Sequence, residues 1–585
     1  MSGASIPPTK RQRVAEAMPP PPPPEDDVPP PAPLPGSPGA SPPPPPPEET
    51  SAQNSDIVPP PPPSLPPPPP PDQPYDEEDV QDAAYWTRLA SSSSTASTSK
   101  LPTHTPAKKT HALYLDTINR HLLDFDFEKL CSISLSNLNV YACLVCGKYF
   151  QGRGRSSYAY LHSIDEAHHV FMHLGNGQAY ILPDNYAVPE ENQAGLADVR
   201  YLLNPTFTRR TIEEVDAGPA FDLAGEQYWP GFVGLNNIAG NDYVNVVVQA
   251  ISHVPEVRDY FLLQQEEGQS ELVRRFGALV RKMWNPRAFK AQVSPHEFLQ
   301  QVAIVSGNRF RLGQQADPVE FLGWLLNRLH LDLTGGRGKR KRGEGESVIS
   351  RCFQGVVQVE SQALAQPEEG AASASSVAAE GERMLTSGQT DDRGHARFDP
   401  ALSITKRDTP FFLLAMDLPP PPPVLGSTDN EIVPQITISQ ILAKYDGRSF
   451  HPTRTALTRY ALRRLPPFLI IHYRRFTKNS LGQEERNPTL VNFPIKGLDV
   501  TKYAPLLPTP GSDKRLPEMY DLVANVVYDA VPGTVRQDAS WKCQVHTNNS
   551  REKWFAIQDL LVEEVNRQMI FLGESYLQIW QKRAV

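Results

Sequence analysis

Two cysteines and two histidines form the most specific chemical pattern in this chain. Cys143 and Cys146 are separated by two residues, and His162 and His168 follow after one further helical stretch. Two thiolates on a tight turn and two imidazoles are the ligand set of a tetrahedral structural zinc site. His169 is an alternative fourth ligand. The spacing therefore predicts a metal site that stabilises a small module and needs no disulfide.

The residues around this motif resemble the ubiquitin-binding zinc finger found in several deubiquitinases. The resemblance rests on segments 141–147 and 158–162. Many members of that family hold more than one zinc ion. Here the positions that would supply further ligands hold Phe150, Tyr158, Ile181 and Asp184. The resemblance therefore implies one structural zinc ion and leaves Cys131 as a core thiol.

The same family captures the free C-terminal diglycine of ubiquitin with an arginine and flanking tryptophans. The matching positions are Arg153, Tyr141 and Tyr180, so the arginine is kept while both aromatic residues are smaller. The tyrosines are equally compatible with ordinary hydrophobic packing. We expect the finger to dock a protein partner and not to hold free ubiquitin.

A second resemblance covers roughly residues 231–580 and is to the ubiquitin-specific proteases. Segment 234–245 is similar to the family's Cys box, and segment 314–321 to its Gln-Gln-Asp-Ala-x-Glu-Phe helix. Segments 465–476 and 491–494 are similar to a later strand and turn. The resemblance implies an α+β, papain-like ubiquitin-specific protease fold with thumb, palm and fingers subdomains.

The positions that carry chemistry in that family hold other residues here. Asp242 stands in place of the nucleophilic cysteine, and Gly240 replaces an asparagine that helps to stabilise the oxyanion. Ser540 matches the general-base histidine, and Gln558 matches the third triad position. A carboxylate attacking an amide gives a high-energy anhydride, and neither serine nor glutamine replaces the base and its orienting carboxylate. We therefore expect a pseudo-deubiquitinase, in which Asp242 caps the helix that follows it.

An enzymatic alternative would use Cys352 or Cys543 as an unrecognised nucleophile. Neither has a helix start or a histidine beside it in sequence that would lower a thiol pKa. Both are expected to be small core residues. The fingers of many relatives carry CxxC pairs around a second zinc ion, and the sequence has no such pair after Cys146. Packing alone is expected to hold the fingers.

Local sequence patterns predict one helix and two strands. Asp317 followed by Pro318 and Glu320 predicts the capped start of an amphipathic helix. Segments 467–473 and 520–528 are short, aliphatic and β-branched, which is typical of buried strands.

Composition divides the chain into three regions. Of the 62 prolines, 32 lie in residues 1–100, which predicts a disordered Pro-rich acidic tail over 1–109. A zinc finger is expected over 110–205 and the protease-like domain over 229–585. Within the latter, residues 366–397 are rich in Ala, Ser, Glu and Gly and are predicted to be a flexible insertion.

The distribution of charged and apolar residues indicates which partners and which cellular location to expect. Residues 1–100 hold 5 basic and 13 acidic residues, so they account for −8 of the formal net charge of −9 and the rest is nearly neutral. A global nucleic-acid-binding surface is therefore not indicated. No segment approaches the ~20 apolar residues of a membrane span, and basic clusters at 10–13 and 337–342 could serve as nuclear import signals.

Segments 115–120 and 123–131, together with the degenerate catalytic positions, resemble the inactive, splicing-associated members of the ubiquitin-specific protease family. This resemblance implies a nuclear pre-mRNA splicing factor that acts as a non-catalytic scaffold. It would bind snRNP proteins and stabilise the tri-snRNP in the assembling spliceosome, with no direct reading of RNA. Alternatives are a ubiquitin or ubiquitin-like binding module and an active deubiquitinase.

Overall fold

The computed structural model describes residues 114–264, 268–335, 345–363, 397–398, 402–420, 434–452, 456–478, 482, 484–503, 517–529, 540–548 and 552–583. All of them belong to one compact unit, Lys108–Val585. The tail expected over 1–109, residues 366–396 of the expected insertion and both basic clusters lie outside the described residues.

The N-terminal part of this unit is a small module built on a five-stranded antiparallel sheet in the order β2-β1-β3-β4-β5. Its strands are β1 (Val140–Cys143), β2 (Tyr149–Gln151), β3 (Val170–His173), β4 (Ala179–Ile181) and β5 (Tyr186–Ala187). Helices α1 (Tyr158–Asp165) and α2 (Ala197–Leu203) flank the sheet. Because the strands are short, the module buries only a small apolar core of its own, centred on Val170, Met172 and Ile181.

A helical layer follows. It consists of α3 (Arg209–Ala217), α4 (Asp242–Ser252), α5 (Pro255–Leu263), α6 (Glu271–Met283), α7 (His296–Val305), α8 (Pro318–Thr334) and α9 (Val348–Phe353). Every residue of α4 is buried, which makes α4 the central helix of this layer. Two short strand pairs, β6 (Ala220–Phe221) with β7 (Gln227–Tyr228) and β8 (Gly234–Leu235) with β9 (Gln292–Val293), border the helices.

The helices pack on an eight-stranded sheet with the order β12-β16-β25-β21-β22-β23-β24, in which β20 also pairs with β21. The strands are β12 (Leu413–Asp417), β16 (Phe468–Arg474), β20 (Leu498–Asp499), β21 (Met519–Asp529), β22 (Ser540–His546), β23 (Trp554–Gln558), β24 (Leu561–Val565) and β25 (Glu574–Lys582). One core cluster joins this sheet to the helices, and a second includes Tyr473, Trp554 and Trp580. The sheet is therefore buried on two sides.

A separate four-stranded sheet has the order β11-β10-β15-β14. Its strands are β10 (Gly355–Ala363), β11 (Thr405–Phe411), β14 (Asp446–Pro452) and β15 (Ala456–Arg464). The remaining elements are α10 (Ile438–Leu442), β13 (Gln435–Thr437) paired with β19 (Leu490–Asn492), and β17 (Phe476–Lys478) paired with β18 (Glu484–Arg486).

The expected elements at 317–329, 467–473 and 520–528 are confirmed as α8, β16 and β21. Asp317 is the N-cap of α8, since its carboxylate accepts the N–H groups of Val319 and Glu320. The order Asp317-Pro318-Val319-Glu320 also predicts a capping box, but the side chain of Glu320 accepts from Arg309 at 2.9 Å instead. Among the described helices, none combines the length and the apolar character that a bilayer crossing requires.

Ion pairs contribute to the four-stranded sheet. Packing alone does not hold it, because Glu360 of β10 accepts from Arg459 of β15 and pairs with Lys406 of β11 at 3.0 Å. Glu360 is only 7% exposed. One buried carboxylate therefore links three of the four strands.

Candidate functional site

The fold brings the two cysteines and two histidines of the first motif together. Cys143 ends β1, Cys146 lies in the turn that follows, His162 lies on α1 and His168 precedes β3. One ligand atom from each residue lies within 4.8 Å of the others. The closest approaches are 3.4 Å from Cys146 Sγ to His162 Nε2 and 3.1 Å from His162 Nε2 to His168 Nδ1. A cluster of this composition and size can hold a metal ion.

The turn that carries Cys146 and Gly147 favours a ligand role for the two thiols. Gly147 has φ of 76°, and an added Cβ there would collide with the carbonyl oxygen of Leu122. The hydrogen bond between the two thiols lowers the pKa of Cys146 and raises that of the buried Cys143. At least one sulfur is therefore held close to the thiolate form that a metal needs.

The structure separates the two candidates for the fourth ligand. His168 belongs to the cluster. His169 points elsewhere, because its Nδ1 lies 2.8 Å from the carbonyl oxygen of Leu182 and its ring lies 4.3 Å from that of Tyr114. Phe150 stacks on the ring of His162 at 4.2 Å, so an aromatic side chain fills space beside the ligand. Cys131 is fully buried and accepts from the N–H of Ser134 at 3.4 Å.

The three residues that match the ubiquitin-tail pocket also lie together, but they contact one another. The guanidinium of Arg153 lies over the ring of Tyr180, 4.4 Å from its centroid, and donates to Asn185 at 2.5 Å. The ring of Tyr141 meets those of Tyr180 and His173 edge-on at 5.9 and 4.9 Å. Tyr141 is only 7% exposed. Arg153 thus covers one face of the Tyr180 ring.

Asp242 is buried at the start of α4, with 4% of its surface exposed. Its carboxylate accepts from the N–H of Tyr243 at 2.9 Å and from the side-chain amide of Gln315 at 3.1 and 3.2 Å. Burial raises the pKa of Asp242, and the hydrogen bonds from Gln315 and Tyr243 oppose that rise. The expected role as the cap is wrong in detail, because Asn241 is the N-cap and Asp242 is the first helical residue.

A polar network around Asp559 joins this loop to the large sheet. Asn245 and Asn237 donate to the two carboxylate oxygens of Asp559 at 2.8 and 3.0 Å. The N–H of Leu235 donates to the backbone carbonyl of the same aspartate at 2.8 Å. Asn241 extends the network by donating to Asn245 at 3.0 Å. The loop that resembles a Cys box is therefore fixed by amides and one carboxylate.

Ser540 and Gln558 lie at the ends of the neighbouring strands β22 and β23. The amide of Gln558 donates to the hydroxyl of Ser540 at 2.6 Å. Neither group takes up a proton near neutral pH. Among the described residues, the degenerate positions form two hydrogen-bonded pairs, one of Asp242 with Gln315 and one of Ser540 with Gln558.

Cys352 on α9 and Cys543 on β22 are 4% and 0% exposed. Burial raises the pKa of the Cys352 thiol to about 12 and also raises that of Cys543. Both therefore stay protonated near neutral pH, which is the opposite of what a nucleophile needs.

Comparison with known proteins identifies the fold. The family model described as "Ubiquitin carboxyl-terminal hydrolase" matches residues 233–580, which is more than half of the chain. The chain belongs to the ubiquitin carboxyl-terminal hydrolase family. A second model, "Zn-finger in ubiquitin-hydrolases and other protein", matches residues 131–193. The expected combination of a zinc finger with this α+β hydrolase fold is thereby confirmed.

Within this family, the chain is similar to proteins named for splicing. It is 41% identical over 474 residues to "Probable mRNA-splicing protein ubp10" of Schizosaccharomyces pombe, covering 80% of this chain and 88% of that protein. It is 42% identical over 488 residues to human "Ubiquitin carboxyl-terminal hydrolase 39", covering 81% and 80%. The solved structure "Crystal structure of an essential yeast splicing factor" matches with a TM-score of 0.61 and 30% identity, over 80% of this chain and all of that one.

Sequence reasoning missed two parts of this hydrolase-family structure. Gln315 lies in a family-like segment and Asp559 follows Gln558, but the sequence assigned neither a role, and the structure shows that they hold Asp242 and the loop before it. The acidic residues of segment 123–131 pair with the helical layer, and Lys282 Nζ lies 2.9 Å from Asp126. The alternation of acidic and aromatic residues in Asp124–Glu128 was the available signal, because it is typical of an extended segment with two different faces.

Proposed function

We propose that this chain acts in nuclear pre-mRNA splicing as a non-catalytic scaffold that binds snRNP proteins and stabilises the tri-snRNP. The similarity to splicing proteins over about 80% of the chain supports this role. The lack of catalysis rests on one observation above all, the buried carboxylate of Asp242 held by Gln315 where the family resemblance places a thiol. The hydrogen-bonded pair of Ser540 and Gln558 supports the same conclusion.

We propose further that Cys143, Cys146, His162 and His168 hold one structural zinc ion. Two sulfur and two imidazole ligands match the preferences of zinc, and a site closed by four protein ligands has no open position for a substrate. The ion would tie β1, α1 and the start of β3 into one unit. The proposed organisation is a tail over 1–109, a zinc finger over 110–205 and a pseudo-protease domain over 229–585.

Two measurements test the scaffold role. The full chain carrying an affinity tag should recover snRNP proteins from nuclear extract in stoichiometric amounts. The same preparation should not react with a ubiquitin bearing an electrophile at its C-terminus. Covalent labelling that Cys543→Ser or Cys352→Ser abolishes would refute the non-catalytic proposal, and recovery of no splicing protein would refute the splicing role.

A ubiquitin-tail reader is the second candidate, and the arrangement of Arg153 over Tyr180 disfavours it. Calorimetric titration with ubiquitin that has a free C-terminus should show no micromolar binding. Micromolar binding would show that the finger binds the ubiquitin C-terminus, provided that the binding is lost with Arg153→Ala or with ubiquitin lacking its last two glycines. The scaffold proposal for the finger would then be wrong.

A further inference from the structure

A groove of about 470 Å³ runs along α6 where the zinc-finger module faces the helical layer. The module contributes Lys129, the β3–β4 turn and the α2 residue Arg200. The helical layer contributes Arg274, Arg275 and Lys282. The groove therefore takes residues from both domains of the proposed scaffold.

The groove carries an excess of positive charge. Five basic side chains line it, whereas Glu271 and Glu297 are the acidic ones. Arg274 is 45% exposed and shares Glu271 with Arg275, which also pairs with Glu297 at 2.8 Å. Asp126 pairs with Lys282 at 2.9 Å, so three carboxylates face the five cations. Arg200 donates to the carbonyl of Gly177 and to the amide oxygen of Gln193, which are both neutral. The N–H groups of these cations can donate to further carboxylates.

The chain itself shows how a ligand can sit beside this groove. In the segment Asp124–Glu128, every second residue is acidic, and these carboxylates pair with Lys290, Lys282 and His296 of the helical layer. Lys282 lines the groove as well. The groove is thus a continuation of the surface that already holds an extended acidic segment.

We propose that the groove binds an extended segment of a partner protein in which acidic residues alternate with aliphatic ones. Carboxylates would pair with the arginines, and the aliphatic residues would contact the half-buried Ala278. Leu174 and Leu203 offer only a small surface, since they are 4% and 9% exposed. Among the described residues that line the groove, none is aromatic. A single-stranded RNA therefore has no aromatic platform for base stacking among these residues, which favours a peptide. This inference deepens the proposed scaffold function and rests on it.

Fluorescence anisotropy with the full chain tests the proposal. The probe is a labelled ten-residue peptide of alternating aspartate and leucine, compared with a lysine–leucine peptide and with a decauridylate. The acidic peptide should bind, and its affinity should fall as salt rises. Arg274→Glu should weaken binding at least about tenfold, since it replaces attraction by repulsion.

Arg210→Glu is the matched control. Arg210, like Arg274, is an exposed helical arginine that pairs with a glutamate one turn away, but it lies on α3 and does not line the groove. It should change the affinity less than about twofold. A glutamate at position 274 would be repelled by Glu271 and could lower the melting temperature. In that case Arg274→Ala is the second variant, because it removes the positive charge without adding this repulsion, and it should still weaken binding. Equal losses in the Arg210 and Arg274 variants, or binding of decauridylate and not of the acidic peptide, would overturn the proposal. Absence of peptide binding while snRNP proteins still co-purify would overturn the groove inference alone.

Discussion

Asp242 is a carboxylate whose burial disfavours its charged form. Its pKa is raised above the unfolded value near 3.8 by desolvation. The charge therefore destabilises the fold at neutral pH, and this penalty disappears as pH falls below 3.8 and the group is protonated in both states. We expect Asp242→Asn to be more stable than the native chain at pH 7, because asparagine keeps an acceptor for Tyr243 and Gln315. Unfolding in denaturant at several pH values measures the difference.

The size of that gain should shrink as the pH approaches 3.8. Asp242→Ala serves as the comparison, since it removes the acceptor as well as the charge and leaves Gln315 without this partner. A stability gap between the native chain and Asp242→Asn that does not depend on pH would contradict the assignment of the effect to ionisation.

The choice between His168 and His169 gives a second residue-scale prediction. His168→Ala should lose the bound zinc, because the cluster then keeps three of its four ligands. His169→Ala should retain one zinc ion per chain, since His169 contacts Leu182 and Tyr114 instead. Zinc per chain, measured by elemental analysis after dialysis, checks both variants. Retention of zinc in His168→Ala and its loss in His169→Ala would reverse the assignment.

The role of a single residue could be predicted from the sequence where it depends on residues that are close in sequence. The ligand quartet spans only residues 143–168, so its members could be read from one short segment. The partners of the Cys-box-like loop could not, because Asp559 and Asn245 are 314 residues apart and only the fold brings them together. No local pattern reports such a contact.

At the scale of elements, Glu360 links three strands of the four-stranded sheet. Burial opposes its ionisation, but hydrogen bonds from Arg459 and Lys406 outweigh burial and lower the pKa of Glu360 below 4.5. Its stabilising effect is therefore complete above pH 4.5 and is lost as the pH falls through the lowered pKa. We expect Glu360→Gln to weaken the sheet by about 1–3 kcal/mol. Hydrogen exchange in β10 and β15, followed by mass spectrometry, measures that loss.

A matched control is available on the same sheet. Asp408 pairs with Arg463, and both are more than 40% exposed, so Asp408→Asn should change exchange in β10 far less. Equal effects of the two substitutions would show that burial of Glu360 is not the source of the stabilisation.

The sequence predicted some helices and strands but not the contacts between distant ones. Helix α8 was predictable because Asp317 and Pro318 mark its start and the leucines that follow repeat at helical spacing. The ion pairs of the four-stranded sheet were not, because Glu360 and Arg459 are 99 residues apart. The absence of a CxxC pair after Cys146 gave no indication of this salt bridge.

At the scale of the whole molecule, the acidic segment Asp124–Glu128 fixes the zinc-finger module against the helical layer. Asp126 pairs with Lys282 at 2.9 Å and also accepts from the N–H of Ser294 at 3.1 Å. Glu128 lies 3.0 Å from His296. These contacts hold the module against the helical layer in one arrangement, which the proposed scaffold function requires.

The triple variant Asp124→Asn, Asp126→Asn, Glu128→Gln tests whether these charges set that junction. Each half-buried pair contributes on the order of 1 kcal/mol, so the contact between the domains should weaken by about 3 kcal/mol. We expect a larger radius of gyration in small-angle X-ray scattering and faster proteolysis between residues 204 and 228. The control Asp116→Asn, Glu190→Gln, Glu191→Gln removes the same charge from exposed positions of the same module and should leave both unchanged. If the two triple variants scatter alike, the junction depends on apolar packing and not on its carboxylates.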